Sequence, residues 1–458
     1  MKDTITKESL KPSTERSNRS GRTTSGTEPT TSAGTATETG ATQTRATQTR
    51  TTSQSRTTAT DDPSEIPSAS LLSRADEVLL PVYARPDVLF VWGQGSTLTS
   101  ADGAEYLDFT SGIAVNAFGH GSGIVERAVA SVSGLIHVSN LYHTAPAIEL
   151  ADELVSRSFA DKVFFANSGA EAVEAAIKLA RLHAGNKERR EILSFEGAFH
   201  GRTFGALAAT DKEQIKAPFR PLPEAFRRLP MGSIEALEEI GPRTAGVLVE
   251  PIQGESGIRV APAEWLQALR KRCTETGALL IFDEIQCGLG RTGTLWAHEA
   301  SGVEPDLMTL AKPLAAGLPI GAVLATDRAS KHVTPGCHGS TFGGGPVVCR
   351  AGVEVVRRAS SPELLAEVRR KGMVLRDALR GTPGVTEVRG RGLMVGARCS
   401  VPAAAVVRAA FDQNFLLVPA GDDVVRFLPP LVVTDGEIEE AVRRFRNAIE
   451  RAEQGAEQ

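Results

Sequence analysis

Four short apolar runs, each closed by a turn or a polar residue, most constrain what this chain can become: VFFANSG (163–169), EILSFEG (191–197), AGVLVEP (245–251) and ALLIFDE (278–284). They are too short for helices and have the character of strands buried on both faces. They alternate with stretches whose apolar residues recur at helical spacing, among them AEAVEAAIKLARLHA (170–184) and AEWLQALRKRCTETG (263–277). The alternation predicts an α/β fold: a mostly parallel sheet with helices on both faces. In such sheets ligands bind at the carboxyl ends of the strands. Ser168, Phe199, Glu250, Asp283 and Lys312 all fall there. Beyond about residue 346, further helical runs and a short strand in DVVRFLP (423–429) predict a second, smaller α+β unit.

Residues 1–66 have a different chemistry. Thr, Ser, Arg, Gly and Glu dominate, large apolar side chains are nearly missing, and ATQTRATQTR (41–50) is a tandem repeat. Such a segment buries too little surface to offset its ordering entropy, so a disordered tail is expected. The composition also suits an organelle transit peptide, although Asp3, Glu8, Glu15, Glu28 and Glu38 are acids that such peptides largely lack. A cytoplasmic location is expected, with an organelle matrix as the alternative if the tail is a transit peptide. The formal net charge of −4 offers no basic field for nucleic acid. No apolar run approaches the roughly 18 residues of a membrane span. Five scattered cysteines without CxxC spacing fit a reducing compartment better than a disulfide framework. Eight histidines without HExxH or HxH spacing give no sign of a metal site.

Lys312 sits in TLAKPLAAGLPIGA (309–322), a run with no other charge. An ammonium there either snorkels to water from a strand end or is desolvated. Desolvation lowers an amine's pKa and makes it a nucleophile able to form a Schiff base. Asp283 closes the run ALLIF and, in a dry environment, needs a cationic partner. Arg291 is one candidate, in a structural ion pair; the protonated ring nitrogen of a cofactor is the other. Lys312 follows Asp283 by 29 residues (312 − 283), room for one crossover and the strand DLMTLAK. NSGAEAVEA turns from strand to helix at Gly169 and Ala170, where free backbone N–H groups can hold an anion; Ser168 reads equally as an ordinary N-cap. GLGRTG (288–293) matches the GxGxxG of dinucleotide folds, but Asp283 and Glu284 stand where a pyrophosphate would lie, and only a short apolar stretch follows.

The motifs FTSGIAVNAFGH, FANSGAEAVEAAIKLAR, GAFHGRTFGALAAT, VLVEPIQGESG, LIFDEIQCGLGRTG, AKPLAAGLPIGA, HGSTFGGGP and DVVRFLPPL, in that order, resemble the class III aminotransferases, which are pyridoxal-phosphate enzymes of fold type I. The resemblance runs from about residue 75 to the C-terminus. It implies a large cofactor-binding domain over 121–345 and a smaller α+β domain over 346–458, with a contribution from 67–120. It also implies pyridoxal 5'-phosphate as cofactor, Lys312 as the Schiff-base lysine and proton shuttle, and Asp283 as partner of the pyridine nitrogen. Glu284, Ile285 and Gln286 would border the cofactor, Gln286 near the phenolic oxygen if one helical turn separates it from Asp283. Gly169 and Ala170 would donate backbone N–H groups to the phosphate, and Phe199 would stack on the ring rather than serve as plain core. Thr341 would reach the phosphate bound to the partner subunit and Ser340 would contact substrate. A homodimer with shared active sites is therefore implied.

The same resemblance implies a substrate logic. Glutamate and 2-oxoglutarate carry two carboxylates, which two arginines suit. Arg202 would hold the carboxylate far from the reacting carbon and Arg426 the near one. Glu255 would neutralise Arg426 when the donor is a terminal amine. By SGIAVNAFGH and HVSNLYHTAP, the type most resembled within the class moves the δ-amino group of N-acetylornithine to 2-oxoglutarate, giving N-acetylglutamate semialdehyde and glutamate in arginine biosynthesis. Ornithine, succinylornithine and 4-aminobutyrate are competing donors. A mutase or racemase on the same fold is the reading from another class, and the pairing of Glu255 with Arg426 argues against it. Ala170, Val173 and Gly345 depart from the Thr, Asn and Asn common in the class, which leaves backbone phosphate contacts possible and the donor open.

Overall fold

The computed structural model of the chain describes residues 68–185 and 188–456; the tail expected over 1–66 lies outside the described residues. A seven-stranded sheet is built, in chain order, from β1 (Lys162–Ala166), β2 (Glu191–Phe195), β3 (Phe226–Leu229), β4 (Thr244–Val249), β5 (Leu279–Asp283), β6 (Leu307–Leu310) and β7 (Gly321–Ala325). Across the sheet they lie in the order β1-β7-β6-β5-β4-β2-β3. Six strands share one direction, and β7 runs against them, antiparallel to both β6 and β1. Strands β4 to β7 are buried along their whole length, which is why their sequences are unbroken apolar runs.

Helices α1 (Gly169–Ala184) and α2 (Ala263–Thr276) cover opposite faces. Side chains alternate along β5: Leu279 and Ile281 join the core around α1, Leu280 and Phe282 the core around α2. Alanines let α1 lie close to the sheet, and a Cβ added at Gly246 would come within 2.9 Å of the Ala180 Cβ. The helix starts where the Oγ of Ser168 accepts a hydrogen bond from the Glu171 N–H at 3.2 Å. It stops at Gly185, whose φ of 71° is left-handed.

A second, antiparallel sheet contains Val385–Arg391, Met394–Cys399, Val424–Phe427 and Val418–Pro419. The strand expected within 423–429 is thus present, and it carries Arg426. A third sheet joins Phe90–Gln94, Thr97–Ser100 and Glu105–Asp108 to Phe415–Leu416, far along the chain. That pairing supports our proposal that 67–120 and 346–458 belong to one smaller domain beside a large domain at 121–345. Among the described residues no helix is long and apolar enough to cross a membrane.

Candidate active site

A cavity of about 370 Å³ opens where β1, β2, β4, β5 and β6 end, and the turns after those strands supply most of its wall. Asp283, the last residue of β5, is 4% exposed. Its Oδ2 accepts a hydrogen bond from His200 Nδ1 at 2.7 Å. Its Oδ1 accepts from the Ile285 N–H at 3.1 Å and from the hydroxyl of Thr309, its register partner on β6, at 3.2 Å. Burial by itself would lower the pKa of His200, but the hydrogen bond and charge of Asp283, helped by Glu250, raise it above the ordinary value. The Nε2 of His200 is buried with no partner among the described residues.

Glu250 follows β4. Burial pushes its carboxyl up to about 7 against the opposing charge of His200. It accepts hydrogen bonds from the N–H groups of Phe199 at 3.0 Å and Gly254 at 3.3 Å, and so ties the turn after β2 to the turn after β4. Lys312 lies two residues beyond β6 and opens a short 3-10 turn, Lys312–Ala315. Its amine lines the cavity and makes no hydrogen bond among the described residues. Burial, then the positive charge of Arg426, lower its pKa to about 8, against the pull of Glu255, Asp283 and Glu250. An appreciable fraction is therefore neutral, nucleophilic amine near neutral pH. At the start of α1 a Cβ on Gly169 would come within 2.8 Å of Ile285 Cδ1, so the helix presents bare backbone to the cavity.

Charges gather at the other side. Arg426 is 1% exposed, and its Nη1 donates to Glu255 Oε1 at 2.7 Å, to the Gly254 carbonyl at 2.8 Å and to Gln286 Oε1 at 3.0 Å. Burial alone would raise the pKa of Glu255; Arg426, with Lys212 and Lys312, holds it below the usual carboxylate value. Lys212 Nζ lies 3.5 Å from Glu255 Oε2. Arg202 is exposed, with its guanidinium carbon 5.8 Å from the centroid of the Phe199 ring. Backbone donors, a dry carboxylate and a desolvated amine around one cavity are the set needed to hold a ring that bears a phosphate, a cationic nitrogen and an electrophilic carbon.

The family model "Aminotransferase class-III" matches residues 82–449. The chain belongs to the class III aminotransferases. Among curated relatives it is 48% identical to the acetylornithine aminotransferase of Rhodobacter capsulatus over 377 residues, 80% of this chain and 96% of that protein. It is 47% identical to the mitochondrial acetylornithine aminotransferase of Alnus glutinosa over 388 residues, 82% of this chain and 86% of that one. Among solved structures, the N-acetylornithine aminotransferase from Stenotrophomonas maltophilia is 36% identical with a TM-score of 0.73, over 84% of this chain and all of that one (100%). The ornithine aminotransferase from Toxoplasma gondii is 31% identical with a TM-score of 0.81, over 85% of this chain and 96% of that one.

The class implies pyridoxal phosphate, and the residues present fit it. The Gly169 cradle leaves N–H groups accessible, Asp283 is anchored on both oxygens, and Lys312 has no competing partner among the described residues. Of the residues that resemblance to the class singles out, Gly169, Ala170, Phe199, Glu255, Asp283, Ile285, Gln286 and Lys312 line the cavity. Arg426 stands behind Glu255 and Gln286. Others lie outside that wall, and two expectations, a helical turn after Asp283 and an Arg291 partner for it, come out differently. Glu284 turns its carboxylate away, accepting from the N–H groups of Ala297 and His298 and from the His298 ring. Ser340 and Thr341 line a separate hollow with Glu171 and Glu174, where Ser340 Oγ accepts from Asn167 Nδ2 at 3.1 Å. Arg202 stands exposed beside the cavity instead of in its wall. The segment after Asp283 is a series of turns, not a helix, yet it still brings Gln286 to the cavity. Arg291 is no partner of Asp283: buried elsewhere, it donates to the carbonyls of Leu393 and Pro429.

Sequence reasoning missed His200 as that partner and Glu250 as the brace of the Phe199 turn. A signal was available. A dry Asp283 demanded a hydrogen-bonding partner, and His200 sits beside Phe199 in a motif already tied to the site.

Proposed function

We propose that this protein transfers the δ-amino group of N-acetylornithine to 2-oxoglutarate, as a pyridoxal-phosphate-dependent homodimer of arginine biosynthesis in the cytoplasm. The observation that carries the reading is the 2.7 Å ion pair between Glu255 and buried Arg426 beside the desolvated Lys312. Relatives named acetylornithine aminotransferases at 44–48% identity support this donor. The five free thiols fit a reducing compartment.

When bound, pyridoxal phosphate supplies an aldehyde that exchanges amines and a ring that draws electrons from the reacting carbon. Asp283, fixed by His200 and Thr309, would bind the ring nitrogen and keep it cationic. The N–H groups of Gly169 and Ala170 would hold the phosphate, joined by Thr341 of the partner subunit. Phe199 and Ile285 would border the ring, and Gln286 its phenolic oxygen. Lys312 Nζ would hold the aldehyde carbon between turnovers and take the proton from the substrate carbon that bears the amine, which requires a neutral amine.

Recognition follows from charge. Both N-acetylornithine and glutamate present a carboxylate far from the reacting carbon, which Arg202 would receive, with Ser340 against the substrate chain. Glutamate adds a second carboxylate near that carbon, which Arg426 would take. With N-acetylornithine the near position is neutral. Arg426 would then be a buried, unpaired cation, a costly state that Glu255 prevents. One cavity thus serves two substrates of different charge.

The test is a donor panel with 2-oxoglutarate and the purified holoenzyme: N-acetylornithine, ornithine, succinylornithine and 4-aminobutyrate. N-acetylornithine is expected to give the highest kcat/KM. A higher value for any other donor overturns the donor assigned here.

A further inference from the structure

Glu255 forms an ion pair with not one cation but two. Its Oε1 meets the guanidinium of Arg426 at 2.7 Å, and its Oε2 lies 3.5 Å from Lys212 Nζ. The two cations differ in setting: the Arg426 side chain is 2% exposed and that of Lys212 is 36% exposed. Lys212 is held over the Phe199 ring, 5.7 Å from its centroid.

The backbone that carries Lys212 is braced. The Asp211 N–H donates to the Ala198 carbonyl at 2.7 Å, and Asp211 Oδ2 accepts from the Gly197 N–H at 2.8 Å. Asp211 Oδ1 pairs with Arg228 at 3.0 Å. Just beyond, the buried amine of Lys216 donates to the carbonyls of Ala208 at 3.2 Å and Thr210 at 2.8 Å. Lys212 therefore projects from a fixed loop, with only its own side chain free to adjust.

Resting on the substrate logic proposed above, a displaced Glu255 needs somewhere to go. A dicarboxylate that takes Arg426 leaves a partly buried carboxylate without its main partner, and such a group is unfavourable unless another cation receives it. Lys312 cannot be that cation, because its amine has to be neutral to react. Lys212 already touches the other oxygen of Glu255 and lies toward solvent.

We infer that Lys212 is a specificity-determining positioning residue: it receives Glu255 when a near carboxylate occupies Arg426, and so sets how well the enzyme accepts glutamate and 2-oxoglutarate relative to a terminal amine. At 3.5 Å the contact is loose in the present arrangement, where Glu255 stays on Arg426; it tightens when the carboxylate swings over.

The test measures the two half-reactions separately on the holoenzyme, by single-turnover change in the cofactor's absorbance. Lys212→Gln should lower kcat/KM for glutamate relative to the terminal-amine donor by roughly fivefold, the scale of a partly exposed ion pair, with the loss in KM rather than in the chemical step. Lys212→Arg should restore the ratio. In a Glu255→Gln background there is no charge to rehouse, so adding Lys212→Gln should leave the ratio unmoved. An unchanged ratio in the single variant overturns the inference. So does an equal loss for both donors, which would make Lys212 a binder of the distal carboxylate common to both. If N-acetylornithine fails as a donor while another terminal amine works, the donor assignment falls, and the ratio remains measurable with that amine.

Discussion

At the floor of the cavity, Asp283 spends both oxygens on three donors from three different segments, all buried or part of the backbone. At the mouth, Glu255 divides its two oxygens between a buried arginine and a half-exposed lysine. Both are carboxylates beside a cation, yet one has a single arrangement available and the other has two. The floor resembles a packed core, where position is over-determined. The mouth is a small bistable element whose balance a ligand's charge can tip. The difference teaches where a class III aminotransferase keeps what all its reactions share and where it keeps what distinguishes them: shared chemistry needs one geometry, and dual substrate recognition needs two.

Variants that attack the floor should have the largest effects and spare neither substrate. Asp283→Asn keeps the shape but removes the charge opposite His200. It should lower kcat in both half-reactions, on the order of 10³-fold, as expected for loss of a preorganised electrostatic group. A loss confined to one donor would break the division between floor and mouth. Arg202→Ala should cost both N-acetylornithine and glutamate roughly 10²-fold in kcat/KM, because both carry the distal carboxylate; an unchanged value for N-acetylornithine would remove Arg202 from the site.

Glu255→Ala sharpens the contrast. It leaves Arg426 without a carboxylate partner whenever the near position is neutral, so the terminal-amine half-reaction should fall by about tenfold more than the glutamate half-reaction. Equal losses would refute a two-position carboxylate. The Lys312 amine gives a pH test. With its pKa lowered to about 8, it is protonated and unreactive below that value and neutral above it. The rate at which cofactor-free protein takes up pyridoxal phosphate should rise through pH 8 and then level off, and a flat profile would place the reacting amine elsewhere.

The smallest effect concerns Glu250. Its pKa is raised from 4.5 to about 7, so the native state holds the proton more tightly than the unfolded state does. That contribution to stability is complete below about pH 4.5 and is lost as pH rises through about 7. Glu250→Gln should therefore melt a few degrees above wild type at pH 8, with the advantage shrinking as pH falls and gone below about pH 4.5.

The sheet was legible because strands buried on both faces must be apolar at every position, and that leaves continuous runs that nothing else explains. The amine at 312 was legible for the complementary reason: a lone charge in such surroundings has few bland uses. What stayed hidden depended on neighbours distant in sequence. The partner of Asp283 is His200, 83 residues away, and only its place beside Phe199 sets it apart from Arg291. The motif places Glu284 with Asp283, although consecutive residues at a strand end point to opposite sides. That alternation sends Glu284 to the backbone of Ala297 and His298 while Asp283 faces the cavity. Ser340 and Thr341 were drawn into the site by motif, and in one chain they line a neighbouring hollow. Their proposed role needs the second subunit, which a single chain's sequence does not display. Lys212 carries no motif, and only the position of its amine next to Glu255 brings it into view.

The most direct measurement is chemical trapping. The holoenzyme is reduced with borohydride, digested, and its peptides weighed. The reduced cofactor should be found on the peptide containing Lys312, and pretreatment of the protein with an amine donor should abolish the label. Label on Lys178, Lys212 or any other lysine, or none despite bound cofactor, would contradict the assignment of Lys312 as the reacting amine.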